Sequence, residues 1–287
     1  LAADVAGDKA LTKVILGAAA IPVPRGESVC SAGEAVRVWR EMQCPVVIKP
    51  CDGNQGRGVS LNLGNEQQVV SGYEIAARFS PNVLVEEFVP GRHFRLLVVN
   101  GRLVAASERI PAHVIGNGRD TIMALVAQVN QDPRRGVEHE KPLTRITIDD
   151  IARAVLARQG YALQSIPAAG ALVWLRDNAN LSTGGTAIDV TDLVHPQLAA
   201  TVVRAVRLIG LDVAGVDLVT TNIEMPLDWG KGVIIEVNAA PGIRMHHYPL
   251  AGAVRDVAAE IIESLYPNGA ASEIPIVAVT GTNGKTT

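Results

Sequence analysis

The sequence has 287 residues, of which 48% are hydrophobic, 19% are charged and 3% are aromatic, and its formal net charge is −3. This length allows one large domain or two small ones with a real core, and the composition excludes a disordered chain. The small net charge gives no reason to expect nucleic acid or an anionic membrane as a partner. Because aromatic residues are few, the core has to be built from Val, Ile, Leu and Ala.

Targeting signals and cysteines narrow the class further. No apolar run approaches the ~20 residues of a membrane helix, and no signal peptide stands at the start, so we expect a cytoplasmic protein. The cysteines Cys30, Cys44 and Cys51 are odd in number and lack metal-ligand spacing, so we expect neither disulfides nor zinc. The chain begins at Leu1, and we therefore expect it to be part of a longer protein.

Periodicity and turn residues predict the elements of the first half. Helices are expected over 8–19, 33–42 and 66–79. The strands CPVVIKP and VSLNL flank the loop CDGNQGRG, and the strands NVLVEEFV and HFRLLVVN come next. The turn Asn100-Gly101 predicts a hairpin between HFRLLVVN and RLVAASER.

The second half is predicted in the same way. Helices are expected over 120–131, 149–158, 195–209 and 249–265, and strands at 172–175, AGVDLVT and GVIIEVN. The stretch DNANLSTGGT is expected to be a loop, and the turn-rich YPNGAASEIP a linker. We therefore predict one domain over residues 1–266, a linker over 267–273 and the start of a second domain over 274–287.

A glycine-rich loop follows Lys49, which closes a run of apolar residues. Gly53, Gly56 and Gly58 let backbone amides approach an anion, while the Lys49 ammonium meets its charge. A flexible hairpin with a surface lysine explains the same residues about equally well. The pattern therefore suits a phosphate site without requiring one.

Three oxygen-bearing side chains interrupt two strands that otherwise read as buried: Asp217, Glu236 and Asn238. Glu236 and Asn238 are two residues apart, so they share one face of a strand. Carboxylates in an apolar setting are costly without a cation, and hard oxygen ligands select Mg²⁺ or Mn²⁺. A polar strand face against solvent is the alternative, and the apolar residues around these three favour the metal site.

Two further stretches have two interpretations each. Glu86 and Glu87 can face an adenine edge and a ribose, or they can be solvated charges at a strand end. In LRDNANLSTGGTAIDVTD, Arg176, Asn180 and the pair Gly184-Gly185 offer a cation and open backbone amides to an anion, or they form an ordinary turn. The residues alone do not separate these interpretations.

The chain ends on VTGTNGKTT, where Gly281, Gly284, Lys285 and Thr286 follow an apolar strand pattern. Glycine amides and Lys suit a triphosphate, and a Thr hydroxyl suits Mg²⁺. The spacing departs from the ordinary P-loop, because Val279 stands where its first glycine would be. A Gly/Asn turn is the alternative, but strand, glycines, Lys and Thr come in the order of a phosphate loop. No helix follows it, so the loop is not expected to work in this chain.

Taken in order, the four internal stretches resemble the ATP-grasp ligases from about residue 8 to residue 265. The resemblance implies an α+β fold in which two subdomains grip ATP between antiparallel sheets. It also implies a reaction: a carboxylate takes the γ-phosphoryl group of ATP, and an amine attacks the acyl phosphate to give an amide, ADP and phosphate. ATP and Mg²⁺ are the cofactors that the family implies.

The resemblance assigns roles residue by residue. Lys49, with the loop at Gly56 and Gly58, would contact phosphate, and the metal residues named above would hold two Mg²⁺ ions. The remaining roles fall on other residues: an adenine pocket at Glu86, Glu87, Phe88 and Val89, a ribose contact at His93, and triphosphate or acyl-phosphate contacts at Arg109, Arg176 and Asn180. Many family members carry Glu where His93 stands.

The C-terminal loop resembles that of the Mur ligases, a second family of ATP-dependent amide-forming enzymes. An ATP-grasp domain followed by such a loop is similar to enzymes that carry both ligases in one chain. That resemblance implies that the first domain adds Asp to the backbone of a peptide polymer, and that the complete protein is a homo-oligomer. A glutathione-synthetase or D-Ala-D-Ala type ligase, and a nucleotide-binding module without turnover, are the alternatives.

Overall fold

The computed structural model of the protein describes residues 1–52, 57–137, 140–228 and 230–267. Within these ranges the strands form a four-stranded sheet, a five-stranded sheet and two small two-stranded sheets. Both large sheets are antiparallel throughout, as the resemblance to the ATP-grasp ligases implies. In this part of the chain, no helix is both long and apolar enough to cross a membrane.

The N-terminal part carries the four-stranded sheet. Its elements are α1 (Ala2–Gly7), α2 (Lys9–Ala18), β1 (Gly26–Val29), α3 (Ala32–Met42), β2 (Val46–Pro50), β3 (Ser60–Leu63), α4 (Glu66–Ala77) and β4 (Val83–Glu87). The strand order is β1–β4–β2–β3, and α3 and α4 pack on one face through a shared apolar core. Val46 and Ile48 enter that core, so Lys49, one residue further, points to the opposite face.

The middle of the chain holds a hairpin and a small satellite cluster. The hairpin strands are β5 (Arg92–Val99) and β6 (Arg102–Ile110), and their turn has positive φ at both Asn100 and Gly101, which confirms the predicted hairpin. The satellite contains β7 (His113–Ile115), α5 (Ile122–Val129), β8 (Arg135–Gly136), β9 (Leu143–Thr144), α6 (Asp150–Arg158) and β10 (Leu172–Trp174). It packs around an apolar core of its own.

The C-terminal part completes the five-stranded sheet. Its elements are β11 (Thr186–Asp189), α7 (Pro196–Ile209), β12 (Val213–Thr220), β13 (Gly232–Asn238), α8 (Arg244–His247) and α9 (Val257–Leu265), and the strand order is β11–β6–β5–β12–β13. One face is apolar and packs on α2 and α7, with Phe94 and Leu96 fully buried. On the other face α9 covers only an apolar end around Leu97 and Val99, which leaves the rest of that face to polar residues.

The predicted helix over 249–265 is wrong in its first half. Helix α9 begins only at Val257, where the carboxylate of Asp256 caps it by accepting from the Ala259 N–H at 3.1 Å. Residues 249–256, here called the strap, run along β11 instead, and Leu250 N–H donates to the Ala187 carbonyl at 2.7 Å. The strap passes close to Asp189 at Gly252, where φ is +91° and an added Cβ would meet Asp189 Cβ at 2.8 Å. Pairing with the sheet edge therefore overrides the helical spacing here.

The core on the apolar face of the five-stranded sheet gives a first expected result. Leu198 on α7 is fully buried, while Leu208 on the same helix is 45% exposed. Leu198→Ala should lower the free energy of unfolding by about 2–5 kcal/mol, because it leaves a cavity in this core. Leu208→Ala should change it by less than about 1 kcal/mol. Urea unfolding of both variants tests this, and equal losses would contradict the assignment of the core.

Candidate active site

A row of polar side chains crosses the five-stranded sheet on the face that α9 leaves uncovered. Asp189, Ser107, Arg95, Asp217 and Glu236 are successive cross-strand partners, one from each strand. Because residues directly opposite each other on neighbouring strands share a face, all five project to the same side of the sheet. Asp189, at the far end, is held by an Arg255 salt bridge at 2.9 Å. This polar row is the framework of the site.

Asp217 is the centre of the polar row. Its side chain is buried, and its carboxylate accepts from Arg95 Nε and, at 3.0 Å, from Arg95 Nη2. Arg109 Nη2, from the next strand but one, lies 3.1 Å from Asp217 Oδ2. Burial acts to raise the pKa of Asp217, but the two guanidinium groups outweigh it and keep the pKa below its ordinary value. Asp217 is therefore an anion held between two cations.

Gly215 makes room for this arrangement. It lies two residues before Asp217 on the same face, and a Cβ added there would meet Pro241 Cβ at 2.7 Å and Arg95 Cδ at 3.0 Å. The turn after β13 and the arginine side chain thus both pack directly on the bare backbone. A larger residue would push one of them away, so Gly215 sets the path that Arg95 takes to Asp217.

A second charged group lies on the four-stranded sheet, on the face opposite α3 and α4. Glu86 is almost fully buried, and each of its two carboxylate oxygens forms a salt bridge, one with Lys13 from α2 and one with Lys49 from β2. Lys9, one helical turn before Lys13, lies 3.5 Å from Glu236 Oε1. Helix α2 therefore links the lysine group to the end of the polar row.

The two charged groups act on each other through Glu236. Its charge acts on Lys49 and Lys13 on one side and on Arg95 and Arg109 on the other. Apart from the Asp189–Arg255 pair at the far end of the row, the groups contain five cations and three carboxylates: Lys9, Lys13, Lys49, Arg95 and Arg109 against Glu86, Asp217 and Glu236. The cluster thus carries an excess of positive charge on partly or fully buried side chains. An anion with several charges, such as a polyphosphate, would offset that excess.

Burial lowers the pKa of both buried lysines. For Lys49 burial is the largest influence and brings the pKa to about 8, although the Glu236 charge acts in the opposite direction. For Lys13 burial and the neighbouring Lys49 charge both lower the pKa, well below the ordinary value of a lysine. These ammonium groups therefore lose their protons more readily than exposed lysines do.

This pKa gives a pH dependence with a definite sign. Lys49 in the free protein is charged below about pH 8, and a triphosphate favours the charged form. We expect ATP affinity to be highest below that pH and to fall by up to about tenfold per pH unit above it. Calorimetric titration between about pH 7 and pH 9.5 measures this. Lys49→Arg should show a weaker dependence, because its guanidinium stays charged; equal slopes would contradict the assignment to Lys49.

The residues predicted for the adenine pocket lie at the end of strand β4 and directly after it. The Glu86 carboxylate is engaged by the two lysines, and the Glu87 carboxylate accepts from Arg25 Nε at 2.8 Å and from the Arg25 backbone N–H at 3.1 Å. Phe88 N–H donates to the Pro45 carbonyl at 2.8 Å, and Val89 is half-buried. His93 lies across from Arg109 on the polar face, and burial together with the Arg109 charge lowers its pKa. Contacts of these residues with adenine and ribose stay predictions.

The glycine loops are described only in part. Gly58 has φ of +71°, and a Cβ there would meet the Phe79 ring at 2.7 Å. This glycine therefore lets the end of the loop pack against Phe79, just after α4. Gly56 of the same loop lies outside the described residues, as do Gly281, Gly284, Lys285 and Thr286 of the C-terminal loop. The phosphate roles predicted for these five residues therefore stay predictions.

Arg176 and Asn180 lie in the satellite cluster, and both have structural partners. The buried Arg176 guanidinium donates to Asp149 Oδ2 at 2.8 Å and to the Thr147 carbonyl at 3.3 Å, which ties the end of β10 to the start of α6. The Asn180 carbonyl accepts backbone N–H groups from Thr183 and Gly185, both at 3.2 Å, as an ordinary compact turn does. Their predicted contacts with phosphate stay predictions.

Three members of the cluster were not found by sequence reasoning. Lys9 and Lys13 are four residues apart and so share one face of α2, and Arg95 lies two residues after His93 on the same face of β5. Cations at these spacings in amphipathic or apolar segments could have indicated that Lys9, Lys13 and Arg95 belong to the site. Their contacts with Glu236, Glu86 and Asp217 are long-range, which is why local patterns did not reveal them.

The predicted metal residues have chemistry that fits Mg²⁺. Asp217 and Glu236 are direct cross-strand partners, and Asn238 Nδ2 donates to the Gly215 carbonyl at 3.3 Å, which leaves its Oδ1 as an acceptor. Among the residues that the structure describes, no three His, Cys, Asp or Glu side chains come together as a metal cage. Mg²⁺ is commonly held by one or two carboxylates together with substrate phosphates, which is the donor set available here.

Comparison with known proteins identifies the fold. A model of the RimK-like ATP-grasp domain matches residues 6–119. A solved bifunctional glutathione synthetase from Pasteurella multocida is similar with a TM-score of 0.66 and 33% identity, over 93% of this chain and 37% of that one. With its paired antiparallel sheets, the chain has the ATP-grasp fold.

Similarity also extends to particular members. The chain is 48% identical to the cyanophycin synthetase of Trichormus variabilis over 100% of its own length and 32% of that protein. It is 36% identical to the bifunctional glutathione biosynthesis protein of Clostridium perfringens over 90% of its own length and 34% of that protein. The chain thus spans about a third of the length of the curated relatives that it matches.

Proposed function

We propose that this chain is an ATP-dependent carboxylate–amine ligase that adds Asp to the backbone of cyanophycin. The observation that carries the ligase proposal is the buried cationic excess around Glu86, Asp217 and Glu236. The five cations exceed the three carboxylates by two positive charges. Burying unbalanced charge is costly, and a bound triphosphate or acyl phosphate would offset that cost. Full-length similarity to cyanophycin synthetases supports the choice of Asp and of a cyanophycin primer as substrates.

The proposed reaction has two steps. A primer carboxylate oxygen attacks the γ-phosphorus of ATP, the bond to the bridging oxygen breaks, and ADP leaves. The Asp amine then attacks the acyl carbon and loses a proton to solvent, and phosphate leaves as the amide forms. Lys13 and Lys49 would neutralise the β- and γ-phosphates, and Arg109 would stabilise the charge that develops on the transferring group.

Magnesium enters this proposal through Asp217, Glu236 and Asn238. These side chains would hold it against the phosphates, where it supplies charge neutralisation for the transferring group. Arg95 would keep the Asp217 carboxylate oriented, since the two side chains form a two-point ion pair. The two sheets would exclude the water that otherwise hydrolyses an acyl phosphate.

ADP formation tests the proposal. The purified chain is supplied with Mg²⁺, ATP, a short cyanophycin-like primer and Asp, and each component is omitted in turn. Turnover that requires both primer and Asp is the expected result. Turnover that instead requires the substrates of a glutathione-type ligase would favour that alternative, which the relative from Clostridium perfringens makes relevant. ATP binding without any acceptor-dependent turnover would contradict the ligase and favour a nucleotide-binding module.

We propose a cytoplasmic location and a homo-oligomeric complete protein, with no nucleic acid or membrane partner. The proposed Mur-ligase-like start at 274–287, with its phosphate loop, lies outside the described residues. So does most of the proposed linker over 267–273 that would join it to the ligase domain of residues 1–266.

A further inference from the structure

His246 lies on the short helix α8, next to the polar row but outside the set of charged residues described above. Its side chain is only 1% exposed, and its Nδ1 lies 3.0 Å from the Ser107 hydroxyl. Ser107 is itself a member of the polar row and the cross-strand neighbour of Arg95. The hydrogen bond therefore ties α8 to the row at the strand next to the Arg95–Asp217 ion pair.

The strap fixes α8 from its other side. Arg255 N–H donates to the His246 carbonyl at 2.9 Å, and the Arg255 guanidinium reaches Asp189 Oδ2 at 2.9 Å and Asp192 Oδ2 at 2.6 Å. The Ala251 carbonyl also accepts from the Asp189 N–H at 2.9 Å. The strap thus connects helix α8 to the edge strand β11, and His246 connects it to the neighbouring strand β6.

The charge state of His246 suits its neighbours. Burial and the Arg95 charge lower its pKa to about 4, His247 acts in the same direction, and Asp189 acts in the opposite one. The imidazole is therefore neutral near pH 7, so it lies close to Arg95 without repelling it. Its Nε2 atom is buried without a partner among the described residues, which costs stability that an apolar residue would not cost.

We propose that His246 is a positioning residue for the ligase reaction. Through Ser107 it holds α8 and the turn at Pro241 against Arg95, and so keeps the Arg95 guanidinium on the Asp217 carboxylate. The inference rests on the proposed function, because it assigns His246 to the reacting end of that site. A histidine with one unpaired buried nitrogen is a poor choice for packing alone, which is why its hydrogen bond to Ser107 carries the argument.

Two variants separate positioning from packing. In His246→Asn the side-chain amide replaces Nδ1, so the contact with Ser107 is retained. The double variant His246→Leu with Ser107→Ala replaces both partners by apolar groups, which is close to neutral for folding. Its melting temperature should therefore stay near that of the wild type, while the tether of α8 is lost.

We expect the double variant to lower kcat by about 10- to 100-fold with little change in the KM for ATP, because the lysines are untouched. The single variant His246→Asn should keep kcat within about threefold of the wild-type value. The control is His195→Leu, which removes a histidine at the start of α7, on the apolar side of the sheet, where its Nδ1 accepts the Gln197 backbone N–H at 3.2 Å. This control should leave kcat and the KM values for ATP, primer and Asp unchanged.

A second readout does not depend on turnover. Isotope-edited NMR of arginine Nε–H groups, with Arg95 assigned through Arg95→Lys, reports its ion pair with Asp217 directly. The Arg95 signal should move in the double variant and stay in place in His246→Asn. A double variant with wild-type kcat and an unmoved Arg95 signal would overturn the inference. Absence of wild-type turnover would instead refute the proposed function, and the Arg95 signal would still decide the role of His246.

Discussion

Asp217→Asn is expected to abolish ligase turnover and to lower the free energy of unfolding by about 3–5 kcal/mol. The substitution keeps the shape of the side chain but removes its charge, which leaves Arg95 and Arg109, whose side chains are each only 11% exposed, without a carboxylate between them. Removing one partner of a buried ion pair costs more than the pair itself contributes, because the remaining charge is desolvated and unpaired. Activity should be lost as well, since Asp217 is a proposed magnesium ligand. Urea unfolding and ADP formation measure the two effects.

The matched control for this prediction is Asp132→Asn. Asp132 also pairs with an arginine, Arg134, at 2.8 Å, but the Arg134 side chain is 48% exposed. An exposed ion pair contributes about 0–1 kcal/mol to the free energy of unfolding. Asp132→Asn should therefore have nearly the same stability and the same rate of ADP formation as the wild type. If Asp217→Asn were no less stable than Asp132→Asn, the buried charge cluster would not have the importance assigned to it.

Lys49→Met is the second large effect, and it should separate activity from stability. We expect kcat/KM to fall by about 10²–10³, because one cation that is proposed to contact the phosphates is lost. Folding should be affected much less. Burial already disfavours the charged form of Lys49, and Glu86 keeps its salt bridge to Lys13. Steady-state kinetics and urea unfolding on the same protein sample compare the two quantities.

The control for Lys49→Met is Lys141→Met. Lys141 Nζ donates to the Pro133 carbonyl at 2.9 Å in an exposed position, and it is outside the charged cluster. Its replacement should leave kcat/KM unchanged. Loss of stability in Lys49→Met without loss of activity would mean that Lys49 has a structural role only, and would remove it from the proposed phosphate contacts.

The sequence predicts most of the elements because their signals are local. Helices α3, α4 and α6 begin within one or two residues of the predicted starts, since Ser31, Asn65 and Asp149 cap them through side-chain hydrogen bonds. Asn100-Gly101 predicts its hairpin for a similar reason: both residues tolerate the left-handed backbone that the turn requires. The sequence wrongly predicts helix for the strap, because the backbone partners of the strap on β11 are some sixty residues away in the chain.

The candidate site is predicted to a smaller extent. The sequence pattern indicates a metal site at Asp217 and Glu236 and suits a phosphate site at Lys49. It does not give the register that makes Asp217 and Glu236 cross-strand partners. It also does not show that Glu86 pairs with lysines from two different elements. These are consequences of tertiary packing, in which a salt bridge joins residues that are far apart in sequence.

The central claim is that this site phosphorylates a carboxylate, and the fate of one oxygen atom tests it most directly. The primer is labelled with a heavy oxygen isotope in its terminal carboxylate, and the phosphate released during Asp-dependent turnover is analysed by mass spectrometry. Passage through an acyl phosphate predicts that each phosphate carries one labelled oxygen. Release of unlabelled phosphate while ADP is formed would contradict the account, because ATP would then be hydrolysed without activating the carboxylate.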